Sequence, residues 1–174
     1  YANGTGIHEN GGGIYQGNSS YLALINCSVI DNFAKDLGGG VYSTNGSTYY
    51  SQCLIDHNKA VRGGGVYAYG TGITIDQIDF TSNRVNTFDS VVGVYGGGLY
   101  IDAGSINVTN STFFDNDASY GVGLIGQGTG GAIYAKECDT VVSGTTFEQN
   151  SAISGGATTR SELRIERCEL PLCK

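Results

Sequence analysis

The sequence predicts an all-β solenoid, a three-faced parallel β-helix of about six coils with three short strands in each. Three observations predict it. A glycine block recurs along the chain, an asparagine follows each of the first five blocks a few strands later, and apolar residues between them alternate with period two. No window carries the 3.6-residue apolar spacing and caps of a helix.

The glycine block begins at Gly11, Gly38, Gly63, Gly96, Gly130 and Gly155, at steps of 27, 25, 33, 34 and 25 residues, and defines the first to sixth coils. Glycine permits positive φ and close backbone approach, which a coil needs where it bends and stacks on the next. An aliphatic residue follows at Ile14, Val41, Val66, Leu99 and Ile133, then a tyrosine at Tyr15, Tyr42, Tyr67, Tyr100 and Tyr134; the sixth coil substitutes Thr158 and Thr159. This is the first strand. Neighbours in a strand face opposite ways, so the aliphatic is assigned to the core and the tyrosines to an outward aromatic strip able to stack on sugar rings. Inward tyrosines with bonded hydroxyls are the alternative.

The second landmark is Asn32, Asn58, Asn83, Asn116 and Asn150. Ten and eight residues before it lie Leu22/Leu24, Thr48/Tyr50, Ile73/Ile75, Ile106/Val108 and Thr140/Val142, with Leu163/Ile165 by extrapolation. Five and three before it lie Cys27/Val29, Cys53/Ile55, Ile78/Phe80, Ser111/Phe113, Thr145/Phe147 and Cys168/Leu170. These pairs are the second and third strands. Asparagine tolerates the left-handed region and bonds through its amide. Stacked in register, the five asparagines form a ladder in which each contributes roughly 1 kcal/mol net. The ladder is structural, and no catalytic residue is assigned. With coils about 4.8 Å apart, six give a rod of roughly 25–30 Å.

Residues 1–10 read as an irregular start or the remnant of a preceding coil, and residues 11–174 as the β-helix domain. A partial cap falls near 160–174, where "RSELRIERCEL" is charged and Pro171 interrupts the strand. The N-terminal end shows no clear cap, and open strand edges associate. It is therefore expected to abut another subunit or a neighbouring segment of a larger chain. The first residue, Tyr1, with no signal pattern after it, suggests a processed or excised piece. The third and fourth coils carry long links, "NTFDSVVGVY" and "YGVGLIGQGT", which emerge at one corner and are expected to pack on each other or on a partner.

The chain has 174 residues, 29 glycines, one proline, no methionine or tryptophan, and a net charge of -7. So acidic a surface argues against nucleic acid and anionic membranes as partners, and no stretch is long enough to span a bilayer as a helix. Six Asn-x-Ser/Thr sequons, at Asn3, Asn18, Asn26, Asn45, Asn107 and Asn110, together with five cysteines lean toward a secreted glycoprotein. Asn26 and Asn110 share one register, six residues before the ladder asparagine. None of the ladder asparagines is itself a sequon.

Cys27 and Cys53 hold one register in adjacent coils, about 4.8 Å apart at Cα, which suits a disulfide worth about 3 kcal/mol. Two stacked free thiols are the alternative. Cys168 and Cys173 are candidates for a second bridge tying the last coil. With Cys138 the count is odd, so one thiol is left over. No Cys/His spacing suggests a metal, and no cofactor is implied. Carboxylates recur near the ladder turn, at Asp31, Asp56, Asp115 and Glu148, but at differing offsets. His57 beside Asp56 reads as a turn, and His8 lies in the irregular start.

The motifs GGA-[Ile/Leu/Val] and Phe-x-x-Asn, here "GGAI" at 130–133 with "FEQN" at 147–150, "FTSN" and "FFDN", resemble the repeat of the chlamydial polymorphic outer-membrane proteins. The resemblance runs over nearly the whole chain from Gly11. It implies a right-handed parallel β-helix of the pectin-lyase-like superfamily, displayed at a cell surface and acting in adhesion. The chain departs from the pattern in its GGG blocks, its sequons and its want of a membrane barrel. The expected function is a non-enzymatic extracellular structural or adhesive module, part of a larger surface assembly or filament, with a glycan or cell-surface molecule as ligand. A carbohydrate-active enzyme or carbohydrate-binding module is the alternative.

Overall fold

The computed structural model describes residues 3–4, 9–18, 20–86, 93–119, 128–156, 158–160 and 164–166. Among them the secondary structure is all strand, and the strands pair in parallel with the equivalent segment of the next coil. Strands Ile14–Gln16, Val41–Thr44 and Val66–Tyr69 stack in register, Val41 beside Val66 and Tyr42 beside Tyr67. Tyr21–Ile25, Ser47–Ser51 and Gly72–Asp76 form the next column. In the fourth and fifth coils the two merge into the 11-residue strands Leu99–Thr109 and Ile133–Ser143, and all belong to one ten-stranded sheet. Ser28–Ile30, Leu54–Asp56, Asp79–Thr81, Thr112–Phe114 and Thr146–Glu148 make a five-stranded sheet. The two-residue strands Asn3–Gly4, Phe33–Ala34, Lys59–Ala60 and Arg84–Val85 make a third, of four strands.

The solenoid thus has three main faces, but they divide the chain differently from the expectation. Two expected strands share one sheet, and the segment after the ladder asparagine supplies the third face. The reason lies in one residue. Between the first two strands the chain bends on a single left-handed position, Asn45, Gly70, Ala103 or Glu137, with φ of 48°, 59°, 54° and 50°. One such residue kinks a strand without dissolving its ladder. The pairing of the long strands steps over Ala103 and Glu137 and resumes at Gly104 beside Cys138.

The other corners use the same device. The first glycine of every block has φ between 61° and 70°. The second is fixed by close approach instead, since a Cβ on Gly39 would lie 2.3 Å from the Gly64 carbonyl oxygen. The ladder asparagines are not left-handed, contrary to expectation. That conformation falls one residue earlier, on Asp31, His57, Ser82, Asp115 and Gln149, with φ of 51–55°. The bend is complete before the asparagine, whose amide is then turned toward neighbouring backbone.

The interior is a set of columns one strand spacing apart. Val41, Val66, Leu99 and Ile133 are buried in one, and Val29, Ile55, Phe80, Phe113 and Phe147 in another. The Phe80 and Phe113 rings stack at 4.5 Å, and Phe113 and Phe147 at 5.2 Å. Each fully buried side chain of this size contributes about 1.5–3 kcal/mol. Two polar members interrupt the columns. Thr48 Oγ1 and the Tyr50 hydroxyl are enclosed without a hydrogen-bond partner. At the end, Thr158–Arg160 pairs with Ile133–Ala135 and Arg164–Glu166 with Val141–Ser143, which sets Ile165 beside Val142 in the extrapolated register, while Leu163 lies outside the described residues. The proposed cap around Pro171, with Cys168 and Cys173, and His8 lie outside the described residues. So do the tips of the two long links. Their feet pair with each other, Val94 beside Gly128 and Tyr95 beside Thr129.

Candidate functional site

Among the described residues the asparagine ladder is a continuous chain of hydrogen bonds. Asn83 Oδ1 accepts the backbone N–H of Asn58 at 3.1 Å and its amide Nδ2 at 3.0 Å. The Asn83 amide in turn donates to Asn116 Oδ1 at 3.0 Å and to the Ile55 carbonyl at 2.7 Å. The same pattern links Asn32 to Asn58 and Asn116 to Asn150. The amides of Asn58, Asn83, Asn116 and Asn150 therefore each satisfy buried backbone one coil away. With its donors and acceptor used within the fold, the column offers little to a substrate.

A second side-chain column runs beside it, in the register five residues before the ladder asparagine, and carries hydrogen bonds that the sequence pattern does not reveal. Cys27, Cys53, Ser111 and Thr145 share a register, and each donates to the carbonyl two residues back. Three of them also accept the N–H of the preceding coil: Cys53 Sγ from Cys27 at 3.3 Å, Ser111 Oγ from Ile78 at 3.1 Å, and Thr145 Oγ1 from Ser111 at 3.4 Å. This geometry corrects the expected disulfide. Cys27 and Cys53 are free thiols, translated copies that point the same way. In-register stacking separates their Cβ atoms by about one strand spacing, about 4.8 Å, where a disulfide prefers about 3.8 Å. Burial raises the pKa of Cys53 and favours its thiol form. Cys138 is buried, its sulfur 3.5 Å from the Thr140 hydroxyl.

The tyrosines lie outside the core, but not as a face open to ligands. Consecutive rings stack on one another: Tyr15 on Tyr42 at 5.0 Å, Tyr42 on Tyr67 at 5.5 Å, Tyr67 on Tyr100 at 4.9 Å and Tyr100 on Tyr134 at 5.1 Å, with interplanar angles of 3–18°. Because the rings repeat along the rod axis, their faces are covered by each other. Stacking of sugars along the strip, as expected from sequence, is corrected accordingly: mainly edges remain. Tyr67 and Tyr100 are only 8% and 6% exposed. Tyr95, from the foot of the first long link, leans on Tyr134 at 4.7 Å, with the Arg62 guanidinium 5.9 Å from its ring centre. Tyr100 donates to Asp102 Oδ2 at 3.2 Å, and Lys136 pairs with the same oxygen at 3.1 Å. Burial, then the neighbouring Tyr42 and Asp102, pushes the Tyr67 phenol up to about 12; Tyr100 is raised by burial and Asp102.

Of the sequon asparagines, Asn18, Asn26, Asn45, Asn107 and Asn110 are exposed. Asn26 and Asn110 are left-handed turn residues, with φ of 52° and 49°. The Asn45 amide donates to Asn18 Oδ1 at 3.2 Å and the Asn110 amide to Asp76 Oδ1 at 3.1 Å. Asn3 falls in the short strand beside Phe33. The acids near the ladder turn do not converge. Asp56 meets His57 Nδ1 at 2.7 Å, and Asp115 accepts from Ser82 at 3.1 Å with Arg84 3.7 Å away.

One concavity follows the rod axis. A trough of about 570 Å³ crosses the outer side of the second strand column, with small residues Ser47, Gly72 and Ser105 in its floor, Tyr21 at one end and Asp139 at the other. Tyr49, Thr74 and Asn107 form a wall. The repeat supplies it: outward positions that stack in register become a groove wherever they are small.

A family model described as right-handed beta helix region matches residues 12–171. The chain belongs to the right-handed β-helix family. That gives the handedness and the superfamily level of the resemblance, while the chlamydial repeat type is a finer matter. No curated protein and no solved structure matches the chain.

Proposed function

We propose that this β-helix is an extracellular structural or adhesive module that works through its outer surface and joins further coils of the same kind in a larger assembly. The observation that carries this reading is the rim of the first coil. Tyr15, Tyr21, Ile25 and Ile30 are 55%, 69%, 53% and 38% exposed. Tyr21 and Ile25 stack beside Ser47 and Ser51 of the second coil, and Ile30 beside Asp56. Apolar residues gather on the outside where the neighbouring coil has polar ones, next to strand edges that another coil would pair. On this reading the chain acts without catalysis, its ladder amides being engaged within the fold, and N-glycans on the outward asparagines keep the sides of the rod from associating. Sedimentation velocity over a hundredfold concentration range tests it. Reversible association is expected, weakened at least tenfold when Tyr21 and Ile25 become serine, the residue the second coil carries. A wild-type protein that stays monomeric throughout contradicts the reading.

The trough supports a second reading, a carbohydrate-binding or carbohydrate-active module. It has an aromatic end, hydroxyl-bearing walls and an axial run suited to an extended glycan. Incubation with a polysaccharide panel, with and without calcium, separates the two. Reproducible chain cleavage overturns the non-enzymatic reading.

A further inference from the structure

The tyrosine stack has chemistry that packing alone does not use. Phenols are readily oxidised by one electron; this chain contains no tryptophan or methionine, and of the thiols that could compete, Cys53 and Cys138 are buried. Five phenol rings lie in van der Waals sequence at 4.9–5.5 Å between centres, close to parallel. The column begins at Tyr15, open to solvent, and enters the buried pair Tyr67 and Tyr100. A phenol gives up an electron easily only when its proton has somewhere to go. Tyr100 has such a partner, since its hydroxyl donates to Asp102 Oδ2 at 3.2 Å, and Lys136 holds that carboxylate in place.

We propose that the stack is a one-electron relay, carrying an oxidising equivalent from exposed Tyr15 through Tyr42 and Tyr67 to Tyr100, with Asp102 as the final proton acceptor. The co-reactant is a one-electron oxidant at the protein surface, such as a photogenerated metal complex or a peroxidase-type haem. In the first step Tyr15 loses one electron to the oxidant and its hydroxyl proton to water, leaving a phenoxyl radical. Each later step moves one electron from the next phenol to that radical. The reduced phenoxyl takes a proton from water and becomes phenol again, while the newly oxidised ring releases its own. At Tyr100 the O–H bond breaks toward Asp102 Oδ2. The sum is one electron on the oxidant, one radical on Tyr100 and one proton on Asp102. A radical moved inward is kept from coupling with radicals on other molecules, so the column protects the chain from oxidative cross-linking wherever the first coil is uncovered.

The test is flash photolysis of the whole chain with a soluble ruthenium photosensitiser and a sacrificial electron acceptor, following tyrosyl radical lifetime and intermolecular dityrosine yield. Two variants interrupt the relay while keeping the ring stack, Tyr42→Phe and Tyr67→Phe, with circular dichroism as the check on folding. Tyr69→Phe, at an exposed tyrosine outside the stack, is the control. The relay predicts a radical at least threefold shorter-lived, and a dityrosine yield at least threefold higher, in both stack variants but not in the control. Asp102→Asn should also shorten the lifetime while leaving entry at Tyr15 intact. Lifetimes and yields that match wild type in Tyr42→Phe and Tyr67→Phe, or a control that behaves like them, overturn the relay.

Discussion

At the scale of single residues, the fold depends on polar groups whose partners sit one coil away. Asn83 is the clearest case. Replacing it with alanine takes the acceptor from the Asn58 N–H and amide and the side-chain donor from the Ile55 carbonyl, while Asn116 Oδ1 keeps the backbone N–H of position 83. Each group left unsatisfied costs about 1–3 kcal/mol. Asn83→Ala should therefore lower unfolding stability by at least about 3 kcal/mol in urea titration. Tyr50 is the opposite case. Its hydroxyl is enclosed with no partner, so Tyr50→Phe should be neutral or stabilising by about 1 kcal/mol. A loss above about 2 kcal/mol would show that the hydroxyl is bonded in the folded protein. The ladder is legible in the sequence because one residue type recurs in one phase. The sulfur and hydroxyl column is legible only as a register: Cys27, Cys53, Ser111 and Thr145 fall five residues before the ladder asparagine, but their differing side chains do not announce the hydrogen bonds they share. The Cys27–Cys53 pair is misread as a bridge for the same reason: register gives the Cα distance but not the parallel direction of the two thiols.

At the scale of elements, each strand is short and its neighbours in space belong to other coils, so alternation is visible while corners are not. The pairs ten and eight residues before the ladder asparagine fall inside strands. Of the later pairs only the second member does, Cys27, Cys53, Ile78, Ser111 and Thr145 each lying one residue before the strand. What the pairs do not mark is that a single left-handed residue bends a strand instead of ending it, as at Ala103 and Glu137. Nothing about alanine or glutamate advertises that conformation, which the stacked neighbours impose. The same logic gives a test of the column beside the ladder. Ser111→Ala removes the acceptor for the Ile78 N–H and should cost about 1 kcal/mol or more, while Ser111→Thr, which copies Thr145, should stay within about half a kcal/mol of wild type. Equal losses in the two variants would mean that packing, not the hydrogen bond, sets the position. The tyrosine strip shows the limit of periodicity from another side. Its register is plain in the sequence, but whether rings turn their faces outward or onto each other depends on the rotamer they share.

At the scale of the whole molecule, stability should fall in alkali earlier than for a protein with solvated tyrosines. The Tyr67 phenol is raised to about 12 and Tyr50 and Tyr100 are raised by burial. Above the ordinary phenol pKa, about 10, the unfolded chain releases these protons while the folded one keeps them, which lowers stability as pH rises. The loss should start near pH 10 and continue through about pH 12, where Tyr67 ionises in the folded state. Thermal melts at rising pH would show it, with a shallower fall in Tyr67→Phe. Secretion and glycosylation belong to this scale too. Intact mass before and after deglycosylation, on protein made in a secreting eukaryotic cell, is expected to drop by whole N-glycans, and an unchanged mass would remove the glycoprotein reading.

Equivalent residues of successive coils lie one strand spacing apart along a common axis, and every column, stack and groove above follows from that. Nuclear Overhauser contacts between labelled side chains measure it most directly. Strong contacts are expected between the Asn58 and Asn83 amide protons and between the Phe80 and Phe113 ring protons, with none between Asn58 and Asn116, two coils apart. Missing contacts in adjacent coils, in a folded sample with assigned signals, would contradict the stacked coil.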